Sequence, residues 1–125
     1  MPDCPFCTPA SSPEPGTPAH TLAHIRQDLY PVSPGHLLVI PNRHVADWFE
    51  LTDEEQQAVM ELVSLAKSRL DETLKPDGYN IGINCGEAAG QTVMHVHCHL
   101  IPRYKGDMPE PRGGVRGVIP DKQSY

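Results

Sequence analysis

The sequence predicts an α+β domain built on a mostly antiparallel sheet with one long helix. Short β-prone runs are separated by turns that contain Pro and Gly, and one longer stretch has the apolar spacing of a helix. The chain has 125 residues, which suits one hydrophobic core and therefore a single domain over 1–125. A single helix cannot supply the crossover connections that a parallel sheet requires.

Four β-prone runs are predicted as strands, at residues 21–29, 36–40, 79–84 and 92–101. The turn between the first two is formed by residues 31–35, which include two prolines and a glycine. Pro41 and Pro102 are expected to end the second and fourth strands, because proline cannot donate to a sheet ladder.

The clearest helix prediction covers residues 53–74. Thr52 is a good N-cap, and Glu55, three residues later, completes a capping box. Apolar side chains then recur at steps of three and four residues, in one stripe that suits the cover of a sheet: Ala58, Val59, Leu62, Val63, Ala66, Leu70 and Leu74. Pro76 and the turn at Asp77-Gly78 are expected to end the helix.

Apolar residues show no regular spacing at either end of the chain. Six of the 14 prolines fall within the first 18 residues, so segment 1–20 is predicted to be irregular and Pro-rich. Segment 105–125 is rich in Gly and Pro and is expected to wrap the surface as an irregular tail.

Composition disfavours several classes of function. A formal net charge of −6 argues against a nucleic-acid partner, which needs clustered Lys and Arg. No apolar run approaches the roughly 20 residues that cross a bilayer, so no membrane partner is expected. The first residues lack the basic and apolar regions of a signal peptide, and we expect a cytoplasmic protein. Its four cysteines are then expected to be reduced: Cys4, Cys7, Cys85 and Cys98.

Three histidines alternate along the fourth predicted strand, at His95, His97 and His99. Alternate side chains of a strand point to the same side, so the three imidazoles are expected on one face. The residues between them are expected to pack against the core: Val96, Cys98 and Leu100. Three imidazoles in a row are difficult to explain by core packing, so the pattern indicates a functional site.

Two kinds of chemistry fit such a row. Neutral imidazoles can converge on a metal ion. Alternatively, one imidazole is a nucleophile and its neighbours set its tautomer and the protonation of the leaving group. The preceding loop, residues 84–92, favours the nucleophile, because its small residues and backbone N–H groups suit an anionic phosphate. A metal site has no need of such a loop, and no carboxylate cluster in the sequence demands magnesium.

The segment GQTVMHVHCHLIPR, residues 90–103, resembles the signature of the histidine-triad (HIT) family, in which three histidines alternate with apolar residues. The upstream segment PGHLLVIPNRHV, residues 34–45, resembles the first sequence block of the same family. The likeness covers roughly residues 20–105. It implies a HIT-like fold with a sheet of about five strands, and a homodimer whose two sheets join into one.

The resemblance also implies a purine nucleotide ligand, with dinucleoside polyphosphates or nucleoside phosphoramidates as substrates and no organic cofactor. His97 is expected to attack the α-phosphorus and form a covalent nucleotidyl-histidine, which water then hydrolyses. His36 and His99 are expected to orient and polarise around that centre, and Asp28 to accept a hydrogen bond from the ribose. Phosphate contacts are expected from the preceding loop: Asn84, Gly90, Gln91 and Thr92.

Cys4 and Cys7 form a Cys-x-x-Cys pair with three open interpretations: incidental thiols, a redox pair, or half of a metal site. The nearby prolines argue against a redox pair, which usually lies at the start of a helix. Some bacterial HIT proteins and the related hexose-1-phosphate uridylyltransferases carry a structural zinc on such a pair. The resemblance would complete that site with His44 and His95. His95 would then serve the metal; otherwise it remains a third catalytic histidine.

The leading hypothesis is therefore a nucleotide hydrolase or phosphoramidase. The sequence Ile101-Pro102-Arg103 is slightly more similar to the dinucleoside polyphosphate hydrolase branch of the family. A nucleotidyl transferase, a non-enzymatic nucleotide-binding protein and a simple metal-binding module remain as alternatives. Four cations are expected either to meet distal phosphates or to be solvated: Arg103, Lys105, Arg112 and Arg116.

Overall fold

The computed structural model describes residues 4–7 and 16–125, and the elements that follow are those of these residues. The strands are β1 (Ala23–Gln27), β2 (Leu37–Pro41), β3 (Gly78–Ile83) and β4 (Cys98–Arg103), and the α-helix is α1 (Asp53–Thr73). All strand pairs are antiparallel, in the order β1-β2-β4-β3. The α+β class and the single long helix are confirmed, and the described sheet has four strands, close to the expected five.

The two faces of the sheet have different roles. Residues directly opposite each other on neighbouring strands share a face. One cross-strand row is buried in the core beneath α1: Ile25, Val39 and Cys98. The next row lies on the opposite face, which we call the open face: Arg26, Leu38 and His99. The candidate site is built on the open face.

Helix α1 begins with the predicted capping box. Thr52 Oγ1 accepts a hydrogen bond from Glu55 N–H at 3.1 Å, and Thr52 N–H donates to the Glu55 carboxylate at 2.9 Å. Hydrogen bonds from Arg43, with those from Thr52, hold the pKa of Glu55 at about 2. The helix ends at Thr73, one residue before the predicted end.

The fourth strand begins later than predicted. It starts at Cys98 rather than at residue 92, so His95 and His97 precede the sheet ladder. The backbone of this segment is engaged elsewhere: Val96 N–H donates to Val45 O at 2.8 Å. The carbonyl of His95 accepts a hydrogen bond from the ring of His97 at 2.9 Å. These two hydrogen bonds take the place of strand pairing before Cys98.

The prolines and the first strand also differ from prediction. The strand predicted over 21–29 is restricted to Ala23–Gln27. Pro41 is the last residue of β2, and β4 continues through Pro102, which lies opposite Tyr79. A proline fits within a strand where the ladder does not need its missing N–H group.

Residues 105–125 include two short 3-10 helices, Gly114–Val118 and Pro120–Lys122. Arg103 donates to the Asp107 carboxylate at 2.8 Å and directs the start of this tail. Gly113 has φ 91°, and a Cβ there would lie 1.7 Å from Gln123 O, so the turn requires glycine. None of the described helices combines the length and the apolar character needed to cross a membrane.

Candidate active site

His97 has a tautomer set by its backbone contact. Its Nδ1 lies 2.9 Å from the carbonyl oxygen of His95, which can only accept a hydrogen bond. The proton of the neutral ring is therefore on Nδ1, and Nε2 carries the lone pair. The side chain is nearly buried, at 9% exposure, so this lone pair is held in a fixed direction.

A chain of hydrogen bonds sets the tautomers of the two neighbouring imidazoles. Val32 N–H donates to His36 Nδ1 at 3.0 Å, so the proton of His36 is on Nε2. That group lies 2.9 Å from His99 Nδ1 and donates to it, which leaves the proton of His99 on Nε2. Beside this pair, Asp28 Oδ2 is 3.4 Å from His36 Nε2 and 3.9 Å from His99 Nδ1.

Both imidazoles of this pair are neutral at physiological pH. Burial lowers the pKa of His99 to about 4, and the neighbouring His97 and His36 rings lower it further against the opposing effect of Asp28. Burial also lowers the pKa of His36, and the Asp28 carboxylate offsets part of that change. In the neutral His97 ring Nε2 carries the lone pair, and His99 Nε2–H is a neutral hydrogen-bond donor two residues away.

Two cavities flank the His36–His99 pair. The cavity on the β1 side has a volume of about 1100 Å³, and its lining includes Arg26, Asp28 and His36. The cavity on the β3 side has a volume of about 760 Å³, and its lining includes His36, His99 and Asn84. The tail contributes two exposed apolar residues to the lining of the second cavity: Val115 and Val118. His36 lines both cavities, His99 lines the second, and His97 is in the lining of neither.

The four residues predicted to contact phosphate have different surroundings in the loop before the triad. Asn84 lines the β3-side cavity, whereas Gln91 is 4% exposed and holds the loop itself. The Gln91 carboxamide accepts from Gly86 N–H at 2.8 Å and donates to Ala46 O at 2.8 Å. Thr92 is exposed, and Gly90 has φ 95°, which favours glycine. The contacts of these residues with a substrate stay predictions.

The guanidinium groups of the tail are engaged within the protein. Arg103 donates to Asp107 and to Asn80, whereas at Lys105 it is the backbone N–H, not the ammonium group, that donates to Asp77. The guanidinium groups of two further residues lie 5.0 and 4.7 Å from the ring centroid of Tyr125: Arg112 and Arg116. Contact of these cations with distal phosphates stays a prediction.

A second cluster brings together Cys4, Cys7, His44 and His95, whose ligand atoms all lie within 4.8 Å of one another. Cys4 Sγ is 3.4 Å from His95 Nδ1, and Cys7 Sγ is 3.2 Å from His44 Nδ1. His95 Nε2 donates to Pro41 O at 2.7 Å, so its Nδ1 lone pair faces the thiols. Two sulfur and two nitrogen donors at these separations fit the tetrahedral coordination that Zn²⁺ prefers.

Sequence reasoning missed two residues of the open face. The Phe6 ring lies edge-on to His97, with their centroids 4.9 Å apart. The guanidinium of Arg26 lies 5.7 Å from the Phe6 centroid, and its Nη1 donates to Pro5 O at 2.6 Å. The alternation of strand side chains could have found Arg26, because it lies two residues before Asp28. No sequence signal predicts that Phe6 covers His97.

Comparison with known proteins agrees with this geometry. A family model described as HIT domain matches residues 17–106. An AP-4-A phosphorylase of Mycobacterium tuberculosis is 40% identical over 87 residues, which are 69% of this chain and 45% of that protein. An asymmetrical bis(5'-nucleosyl)-tetraphosphatase of Schizosaccharomyces pombe is 42% identical over 83 residues, 66% of this chain and 46% of that protein. The chain thus spans about half the length of these two curated relatives.

A solved structure of a similar protein is described as zinc-bound. It is that of a Zn-bound histidine triad family protein from Mycobacterium smegmatis, with a TM-score of 0.69 and 34% sequence identity. The match covers 75% of this chain and 68% of that one.

Proposed function

The chain belongs to the HIT family, and we propose that it is a nucleotide hydrolase that cleaves at the α-phosphorus of dinucleoside polyphosphates or nucleoside phosphoramidates. The observation that carries this proposal is the 2.9 Å hydrogen bond from His97 Nδ1–H to His95 O. In the neutral ring this bond leaves the lone pair on Nε2, where it can act as the nucleophile.

The reaction has two displacements at phosphorus. In the first, the His97 Nε2 lone pair forms an N–P bond, and the bond from phosphorus to the leaving group breaks with its electrons on that group. A polyphosphate leaves as the anion, and an amine leaves with a proton taken from solution. In the second, water forms an O–P bond and the N–P bond breaks, which returns the electron pair to Nε2 and gives the nucleoside monophosphate. The proton that water loses passes to solution. His99 Nε2–H donates a hydrogen bond to the phosphoryl oxygens as charge develops there.

We assign the two parts of the substrate to the two cavities. The nucleoside is proposed to lie in the β1-side cavity, where Asp28 would accept a hydrogen bond from the ribose. The leaving group lies in the β3-side cavity, where Asn84 is its polar neighbour. Both enzyme-named relatives are named for dinucleoside tetraphosphates, which supports this substrate class.

A nucleotidyl transfer to phosphate is the second candidate function. The phosphorylase name of the mycobacterial relative favours it. It would use the same His97 intermediate, with inorganic phosphate in place of water as the acceptor. The product would be a nucleoside diphosphate rather than a monophosphate.

The cysteine and histidine cluster is proposed to hold a structural zinc ion. Cys4, Cys7, His44 and His95 would close its coordination, and zinc would supply cross-linking of the N-terminal segment to the sheet rather than a step of the reaction. We further propose a cytoplasmic homodimer joined through the edge strand β3, where Ile81 is 50% exposed. Sedimentation at micromolar concentration tests the dimer, and a monomer there contradicts it.

Product analysis tests the reaction. Wild type and His97→Ala are incubated with diadenosine tetraphosphate and with an adenosine phosphoramidate, and alkaline-quenched samples are examined by intact mass. We expect AMP and a transient nucleotidyl adduct on wild type, and neither with His97→Ala, which should still bind AMP. His20→Ala is the matched control because His20 pairs with Glu61 outside the site. Turnover by His97→Ala at the wild-type rate would refute the nucleophile, and phosphate-dependent ADP would identify the transferase.

A further inference from the structure

The open face carries a basic residue that the reaction above leaves unused. We propose that Arg26 reads the outer edge of the nucleotide base and selects a 6-oxopurine, guanine or hypoxanthine, over adenine. This inference rests on the proposed function, because it specifies the base of the nucleotide that His97 attacks.

The position of Arg26 in the sheet fits the length of a nucleotide. Arg26, Leu38 and His99 are directly opposite one another on β1, β2 and β4. Neighbouring strands are about 4.8 Å apart, so the Cα atoms of Arg26 and His99 are separated by about 10 Å. This is comparable to the distance from the 5'-phosphorus of a nucleotide to the far edge of its purine. A nucleotide with its phosphorus beside His99 therefore has its base edge near Arg26.

The position of Asp28 supports the same orientation of the nucleotide. It lies two residues after Arg26 on the same side of the chain, and its carboxylate is 3.4 Å from His36. Arg26 and Asp28 line the same cavity of about 1100 Å³, and exposed Leu29 adds an apolar wall. The same cavity extends around the edge strand β1 to α1, where Leu70 lines it. With the ribose at Asp28, the part of this cavity beside Arg26 would hold the base.

The surroundings of Arg26 leave its guanidinium able to bind a ligand. Nη1 donates to Pro5 O at 2.6 Å, and within residues 4–7 and 16–125 this is the one hydrogen bond of the group. The guanidinium carries five N–H donors, so a fork of two remains available. Phe6, 5.7 Å from the guanidinium, offers a flat apolar surface beside it.

Hydrogen-bond chemistry then decides between the purines. Guanine and hypoxanthine present two adjacent acceptors, O6 and N7, which match the donor fork of arginine. Adenine presents the N6 amino donor at the corresponding position, and arginine has no acceptor for it. Glutamine, with one donor and one acceptor, matches adenine N6 and N7 instead.

The test measures dissociation constants of GMP, IMP and AMP for wild type, Arg26→Gln and Arg26→Met by calorimetry on the zinc-loaded protein. We expect wild type to bind GMP and IMP at least about tenfold more tightly than AMP. Arg26→Met should abolish the difference, and Arg26→Gln should reverse it. Lys67→Gln is the charge-matched control, because Lys67 pairs with Asp71 on α1. It should retain the wild-type ratio.

Several outcomes overturn the inference. Equal affinity of wild type for GMP and AMP, or a ratio that Arg26→Gln leaves unchanged, contradicts base reading by Arg26 even if His97-dependent turnover is intact. A melting temperature that falls while the ratio is retained identifies Arg26 as an anchor for Pro5 alone. Absence of binding by all three nucleotides to wild type overturns both this inference and the proposed function.

Discussion

His95 and His97 are two residues apart, and each donates one ring N–H to a backbone carbonyl, but through opposite nitrogens. His95 donates through Nε2 to Pro41 O at 2.7 Å, whereas His97 donates through Nδ1 to His95 O at 2.9 Å. The lone pair of His95 is therefore on Nδ1, where it faces two thiols, and the lone pair of His97 is on Nε2, on the open face.

This difference shows how one short segment can serve two kinds of chemistry. A histidine residue alone does not specify a ligand or a nucleophile; the partner of its second nitrogen does. Next to Cys4 and Cys7, the lone pair of His95 completes a donor set that suits Zn²⁺. Next to His99 Nε2–H, the lone pair of His97 suits attack on phosphorus. The two sites should therefore respond separately to mutation.

The largest difference between the effects of one mutation on the two sites is expected for His97→Ala. Turnover of the nucleotide substrate should fall by at least about 10³-fold, because the nucleophile is lost. Zinc content, measured by atomic emission, and the melting temperature should stay close to those of wild type. A loss of zinc together with activity would show that the two sites are one unit and would contradict the comparison.

Cys4→Ser should have the opposite pattern. The variant should lose its zinc, and its melting temperature should fall by about 5 °C or more, because the N-terminal segment loses its cross-link to the sheet. Turnover at a temperature where the variant is folded should fall by less than about tenfold, far less than in His97→Ala. Cys85→Ser is the control, since Cys85 lies outside the cluster. Unchanged zinc content and melting temperature in Cys4→Ser would refute the zinc proposal.

The sequence predicted both sites more completely than it predicted their backbone. Helix α1 is confirmed to within one residue, because capping and apolar period are local signals. The strand predicted from residue 92 was wrong before Cys98, because the ring of His97 takes the carbonyl of His95 and no periodicity records such a contact. Phe6 was missed for a related reason. Its place over His97 depends on contacts between residues distant in sequence, and local patterns do not encode those.

The free energy of unfolding should depend on pH in the acid range because the His36–His99 pair is buried. The pKa of His99 is about 4 in the folded protein against an ordinary value of 6.5, so between these values the unfolded chain binds more protons. The free energy of unfolding should therefore have its full value above about pH 6.5 and fall by roughly 1 to 3 kcal/mol as the pH approaches 4. The lowered pKa of His36 acts in the same direction.

Urea unfolding of wild type and His99→Asn at pH 4.5, 5.5 and 7 measures this contribution as the difference between the two proteins. Subtraction removes the acid sensitivity of the cysteine and histidine cluster, which both proteins share. His99→Asn should have the shallower dependence on pH. Equal slopes for the two proteins would show that His99 is not held neutral by burial.

The smallest effect is expected at an aromatic contact between the two sites. Phe6 lies between the cluster residues Cys4 and Cys7, and its ring is 4.9 Å from that of His97. Phe6→Leu should lower kcat/KM for the nucleotide substrate by about two- to tenfold, the range expected for one aromatic pair. Zinc content should not change, because neither thiol is altered.

Phe49→Leu is the matched control, since Phe49 is 77% exposed and is remote in sequence from both Phe6 and the triad. If Phe6→Leu left kcat/KM equal to that of the control, the Phe6 ring would have no role in the reaction. A loss of kcat/KM with zinc retained would instead show that the Phe6 ring supports the reaction at His97.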